Sequence, residues 1–145
     1  MFTKILFPTD FSETSRQAMN CILHLKQNGL KEVVVLHVTD NHCLDKIEPF
    51  ILNSIVRQVK SKIDQETQQA LQATEQELSA TGLNVKIVTR SGHPAEEILK
   101  LENEEDVSGV VMGSHNAGGL EKFFSGSVAE AVVHKSKRPV LVVKH

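Results

Sequence analysis

The sequence predicts an α/β fold: one doubly wound domain spanning residues 1–145, with a five-stranded parallel sheet in the order 3-2-1-4-5 and helices on both faces. Two observations carry this. Short apolar runs recur near residues 4–8, 33–38, 84–90, 107–112 and 139–143, and segments of helical period fill the intervals. Several of these runs, such as Val33-Val34-Val35-Leu36 and Val140-Leu141-Val142-Val143, are apolar without alternation, as strands covered on both faces are. At 145 residues the chain has the length of one domain with a single continuous sheet.

Each element has a local reason. Lys4-Ile5-Leu6-Phe7 is closed by Pro8, which ends the first strand. Thr9, Asp10 and Ser12 offer N-caps for a first helix that buries Ala18, Ile22 and Leu25 and stops at Gly29. Residues 33–38 form the second strand. After a polar loop, a long amphipathic helix starts near Pro49. It keeps spacings of three and four through Ile55, Val59, Ile63, Leu71, Thr74 and Leu78, apart from a polar patch around Gln65 to Gln69, and ends before Gly82. The third strand, residues 84–90, places Val85, Ile87 and Thr89 on one side. Gly92-His93-Pro94 opens a third helix with proline at its first position and Glu96-Glu97 in its first turn. Residues 107–112 are the fourth strand, 113–126 a glycine-rich loop, and Ser127 caps a fourth helix through Ala131 and Val132. Residues 139–143 close the sheet.

Composition narrows the function classes. A net charge of −2, no Trp, no Tyr and six Phe disfavour a general nucleic-acid binder. No apolar run is long enough to span a bilayer and no basic leader opens the chain, so a cytoplasmic location is expected. The two cysteines, Cys21 and Cys43, do not form a CxxC pair, and Cys21 reads as a small buried hydrophobe.

Right-handed crossovers with this strand order place a switch point between the carboxyl ends of strands 1 and 4, where such folds bind ligands. Pro8-Thr9-Asp10, Val38-Thr39-Asp40 and Met112-Gly113-Ser114-His115-Asn116 converge there. Gly113 permits a sharp turn and close backbone approach. Gly126-Ser127 opens a helix, whose unpaired N–H groups suit an anion such as phosphate. Neither a GxxxxGK[ST] loop nor a GxGxxG fingerprint is present. Asp10 reads equally as a contact to a metal-bound water or to ribose and as a helix cap, His115 as a phosphate contact or a solvated loop residue, and His37 as a satisfied core or sheet-face histidine. No paired carboxylates or nucleophile–base arrangement stand out, which favours a binding module or switch over a fast enzyme.

Across its whole length the sequence resembles the universal stress protein family. The resemblance rests on Lys4-Ile5-Leu6-Phe7-Pro8-Thr9-Asp10-Phe11-Ser12, Leu36-His37-Val38, Gly92-His93-Pro94-Ala95-Glu96-Glu97-Ile98 and Arg138-Pro139-Val140-Leu141-Val142-Val143. Its most specific part runs from Val111-Met112-Gly113-Ser114-His115 to Gly126-Ser127-Val128. ATP-binding members share Gly, two residues, Gly, nine residues, Gly, then Ser or Thr; the spacing is intact here, with Asn116 in place of the middle glycine. The resemblance implies ATP, with AMP or ADP as alternatives, accompanied by Mg²⁺ or Mn²⁺. It puts Pro8, Thr9, Asp10 and Val38 around adenine and ribose, and Met112 and Gly113 beneath the nucleotide. Asn116, Gly126, Ser127 and Val128, with His115 beside them, fall at the phosphates. It also implies a homodimer through Val140, Leu141, Val142 and Val143, an apolar edge with nothing to guard it. The alternatives are a dimeric interaction module of the same fold that has lost its nucleotide, and a slow ATPase.

Overall fold

A computed structural model describes residues 2–39, 53–114 and 126–144. Among these residues five strands alternate with four helices: β1 (Lys4–Pro8), α1 (Glu13–Gln27), β2 (Glu32–Thr39), α2 (Asn53–Ser79), β3 (Asn84–Ser91), α3 (Pro94–Glu104), β4 (Gly109–Gly113), α4 (Gly126–Lys135) and β5 (Val140–Val143). Every strand pairing is parallel and the sheet order is β3-β2-β1-β4-β5, as the sequence predicts.

The pleat divides the apolar residues between two cores. Ile5 and Phe7 of β1, Val33 and Val35 of β2 and Val111 of β4 pack with Ala18, Met19 and Ile22 of α1 and with Leu71 and Leu78 of α2. Leu6, Val34, Leu36, Val38, Val110 and Met112 face the other way, onto Ile98 and Leu101 of α3 and Ala129 and Val132 of α4. The central strands are apolar on both faces because each face has its own helical layer.

The helix ends follow local chemistry. Ser12 is the N-cap of α1, its hydroxyl accepting from the Ser15 amide at 3.2 Å. The helix closes at Asn28, and Gly29 takes the left-handed conformation at φ +106° that frees the chain to turn into β2. Pro94 opens α3, with Glu96 and Glu97 in its first turn. Cys21 is half-buried on α1 rather than enclosed in the core, because it stands beside the inward stripe of Ala18 and Ile22. Cys43 lies outside the described residues.

The connection from α4 into β5 is tied down by Arg138. Its guanidinium donates to the Val107 carbonyl at 2.6 Å, to Asn103 Oδ1 at 2.8 Å and to Asp106 Oδ1 at 3.1 Å. Beside it, the buried Glu102 carboxylate accepts from Ser136 Oγ at 2.7 Å. The edge strand is therefore locked to the end of α3 by directed polar contacts as well as by its ladder with β4.

Candidate functional site

All five strands run the same way, so their carboxyl ends share one edge of the sheet. At that edge β1 and β4 part early. The β1–β4 ladder holds only Ile5↔Gly109 and Leu6↔Val110, whereas β1 stays paired with β2 to Pro8↔Leu36 and β4 with β5 to Gly113↔Val143. The crevice lies where the strand order reverses, at the switch point of a doubly wound sheet.

One wall is the turn Pro8-Thr9-Asp10-Phe11. The Thr9 amide donates to the Leu36 carbonyl at 2.9 Å and so extends the tie to β2. The Phe11 amide donates to Thr9 Oγ1 at 3.1 Å. Asp10 Oδ1 accepts from the Ser12 amide at 3.0 Å and from Ser15 Oγ at 2.8 Å. Asp10 is thus an organiser of the α1 entry, while the cap itself is Ser12.

The opposite wall is the end of β4. A Cβ built on Gly113 would stand 2.5 Å from the Thr14 carbonyl carbon and 2.6 Å from the Ser15 nitrogen. Glycine is therefore required there by the first turn of α1 packing against β4; Gly113 is not among the glycines with positive φ. Thr14 Oγ1 donates to the Ser114 carbonyl, which pins the strand exit to the same turn. The side chains of Val38 and Met112 belong to the second core and are wholly buried.

The third component is α4, which descends antiparallel to the sheet and so begins at the same edge. Its first two residues, Gly126 and Ser127, are exposed and Val128 is half-buried against the second core. Gly126 is already helical, so Ser127 sits within the helix rather than at the cap position expected of it. First-turn amides have no intrahelical acceptors and form the positive end of the helix dipole, which fits an anionic group. His115 and Asn116 lie outside the described residues. Among the described residues no group of three or more His, Cys, Asp or Glu side chains could hold a metal ion, and no helix is long and apolar enough to cross a membrane.

His37 was legible as a core histidine but its part in the site was not. It is buried, and its Nδ1 lies 3.0 Å from the Thr9 carbonyl. A carbonyl can only accept, so Nδ1 carries the proton and the neutral ring keeps its lone pair on Nε2. Burial holds the imidazole below its ordinary pKa, opposed more weakly by the Thr9 hydrogen bond and the charge of Asp10. Its ring stacks on Phe11 with centroids 4.9 Å apart.

A cavity of about 220 Å³ lies between α1 and α2, lined by Phe7, Ser15, Met19, Ala73 and Thr74 and sharing Thr9 and Phe11 with the β1–α1 turn. It includes no residue of β4 and is smaller than the roughly 300 Å³ at which ligand pockets begin. The crevice is the better candidate.

Comparison with known proteins agrees with this architecture. The sequence profile of the universal stress protein family matches residues 1–144. The chain belongs to the universal stress protein family. Universal stress protein MJ0577 of Methanocaldococcus jannaschii is 36% identical over 155 residues, covering 99% of this chain and 96% of that protein. The solved structure of MJ0577 superposes with a TM-score of 0.82 at 37% identity, over 100% of this chain and 97% of that one. More distant universal stress proteins share the fold. One solved in complex with cAMP has a TM-score of 0.66 at 16% identity, covering 99% of this chain and 97% of that one. One from Archaeoglobus fulgidus, solved with dAMP, has a TM-score of 0.64 at 18% identity, covering 99% and 98%.

Proposed function

We propose that this universal stress protein binds an adenine nucleotide, ATP with Mg²⁺ or Mn²⁺, in the β1–β4 crevice and acts as a nucleotide-dependent switch in the stress response. The observation that supports the reading is the early end of the β1–β4 ladder, beyond Leu6↔Val110, at the sheet edge shared by the Thr9-Asp10 turn and the start of α4. In this reading Pro8, Thr9, Asp10 and Val38 surround the base and ribose, and Met112 and Gly113 lie beneath. The first turn of α4, through Gly126, Ser127 and Val128, takes the phosphates together with His115 and Asn116. The chemistry of a first helical turn fits phosphate. A divalent ion would take its ligands from phosphate and water, since the described residues offer no cluster of their own. Adenine mononucleotides are bound by the family members solved with cAMP and dAMP.

The protein is proposed to act as a homodimer. The two sheet edges differ: β3 carries Lys86 and Arg90, paired with Glu105 and Glu104, whereas β5 is Val-Leu-Val-Val with Leu141 44% exposed. Charges protect an edge, and an apolar edge invites a second chain.

A second reading has one observation in its favour. Gly113, the first glycine of the phosphate pattern, is explained by α1 packing without any ligand. A dimeric module that no longer binds nucleotide through Asn116 is consistent with that. Native mass spectrometry of freshly purified protein, followed by a thermal shift with MgATP, separates the two. A nucleotide-binding dimer is expected, and at one hundred times Kd the ligand adds about 2.7 kcal/mol to stability. No shift at millimolar MgATP, with a shift restored in Asn116→Gly, establishes the second reading and overturns the first.

A further inference from the structure

Phe11 is a bulky residue held at φ +64°, in the left-handed region that L-residues other than Asn and Asp rarely occupy. Such an outlier persists only where its surroundings over-determine it, and it is a pointer to function when it falls at a site. Here it follows directly on Thr9-Asp10, and two contacts hold it: its amide on Thr9 Oγ1 and its ring on the His37 ring. The same histidine reaches the Thr9 carbonyl through Nδ1. One side chain of β2 therefore grips both the main chain and the aromatic flank of the β1–α1 turn, at the mouth of the crevice.

We infer that His37 is a positioning residue for nucleotide binding, holding the Thr9-Asp10-Phe11 turn in its bound shape through one hydrogen bond and one stacked ring. This rests on the reading of the crevice as a nucleotide site and names a residue that acts on that site without touching the ligand. The grip matters because Thr9 and Asp10 belong to a turn and not to the ladder. Beyond the Thr9 amide, β2 holds the turn through this imidazole. With the Thr9 carbonyl already engaged by Nδ1–H, the peptide plane between Thr9 and Asp10 is fixed, and so is the direction in which the Asp10 amide points. A turn fixed before the ligand arrives binds more tightly than one that must be ordered on binding.

The test compares His37→Leu, which keeps apolar bulk but has no donor, with His37→Asn, whose amide nitrogen can stand in for Nδ1. Titration with a fluorescent ATP analogue and Mg²⁺ is expected to show about tenfold weaker binding for the Leu variant, the worth of one hydrogen bond. The Asn variant is expected to recover most of that loss. Leu binding as tightly as wild type, or Leu and Asn losing equally, overturns the inference. Imidazole ¹⁵N shifts of the unliganded wild type supply a reading that needs neither a variant nor a nucleotide: protonated Nδ1 with unprotonated Nε2 is expected, and the reverse tautomer overturns it. If wild type itself binds no analogue, the nucleotide reading fails first. A wild type that binds while both variants match it defeats the positioning role alone.

Discussion

Gly113→Ala tests the packing of β4 on α1. The new methyl would stand 2.5 Å from the Thr14 carbonyl carbon, 2.6 Å from the Ser15 nitrogen and 2.7 Å from Thr14 Oγ1. Carbon contacts relax at about 3.5–4.0 Å, so the strand and the helix must separate by about 1 Å. Neither side yields easily. Gly113 is in register with Val143, and the Ser114 amide donates to the Val143 carbonyl at 2.8 Å. The α1 turn is held by Asp10, Ser12 and Ser15. Overpacking costs roughly 1–3 kcal/mol, and two main chains in opposition put this case at the upper end. For a domain of this size that lowers Tm by about 6–12 °C. Urea unfolding followed by circular dichroism measures it. Gly109→Ala is the internal control: its methyl would come within 2.3 Å of Phe2 Cε1, a side-chain atom, and no nearer than 3.3 Å to main chain, at the Pro139 carbonyl oxygen. A Gly113→Ala loss equal to or smaller than the Gly109→Ala loss would refute the reasoning.

Three further outcomes are expected. Ser12→Ala removes the α1 cap and leaves the buried Ser15 and Thr14 hydroxyls short of a partner, so urea unfolding should show a loss of about 1–2 kcal/mol. Neutral His37 favours the fold, because burial sets its folded pKa below the ordinary 6.5. That stability is complete above pH 6.5 and is lost as pH falls from there through the folded pKa. The difference in unfolding free energy between wild type and His37→Asn should therefore shrink on acidification through this window, and a constant difference would contradict it. Leu141→Lys places a charge on the exposed β5 edge and should convert the proposed dimer to monomer in sedimentation experiments while Tm of the separated chain stays within a degree or two, as surface changes do.

The fold was legible because its signals are repetitive. Five apolar runs, a proline closing β1, Gly29 after α1 and Pro94 opening α3 each name a boundary, and the all-apolar central strands announce two helical layers. The position of the candidate site follows from topology, since parallel order alone puts Thr9, Gly113 and Gly126 at one edge. What the sequence did not convey were pairwise contacts across long separations. Gly113 reads as a ligand-approach glycine until Thr14, a hundred residues earlier, is seen against it. Asp10 and Ser12 are equally good caps by composition, and only the geometry assigns Ser12 the cap and Asp10 the support. The grip of His37 on Thr9 needed the register of β1 on β2, which no local pattern encodes. Glu102 belongs to the same class: it is buried on α3 because Ser136 and Arg138, more than thirty residues later, enclose it.

The position of β1 between β2 and β4 also has a consequence in time. Residues that meet across the β1–β4 seam, such as Lys4 and Ser108, are separated by 104 positions. At a synthesis rate of about 5–20 residues per second, the amino-terminal strand leaves the ribosome roughly 5–20 s ahead of its carboxyl-side neighbour. During that interval β1, α1, β2, α2 and β3 can assemble as a contiguous half-sheet with one flank of β1 bare. The last two strands then seal it. Occupancy of the seam by any ligand would therefore require that β4 had been synthesised, and a nascent chain that stops short of β4 would be blind to it.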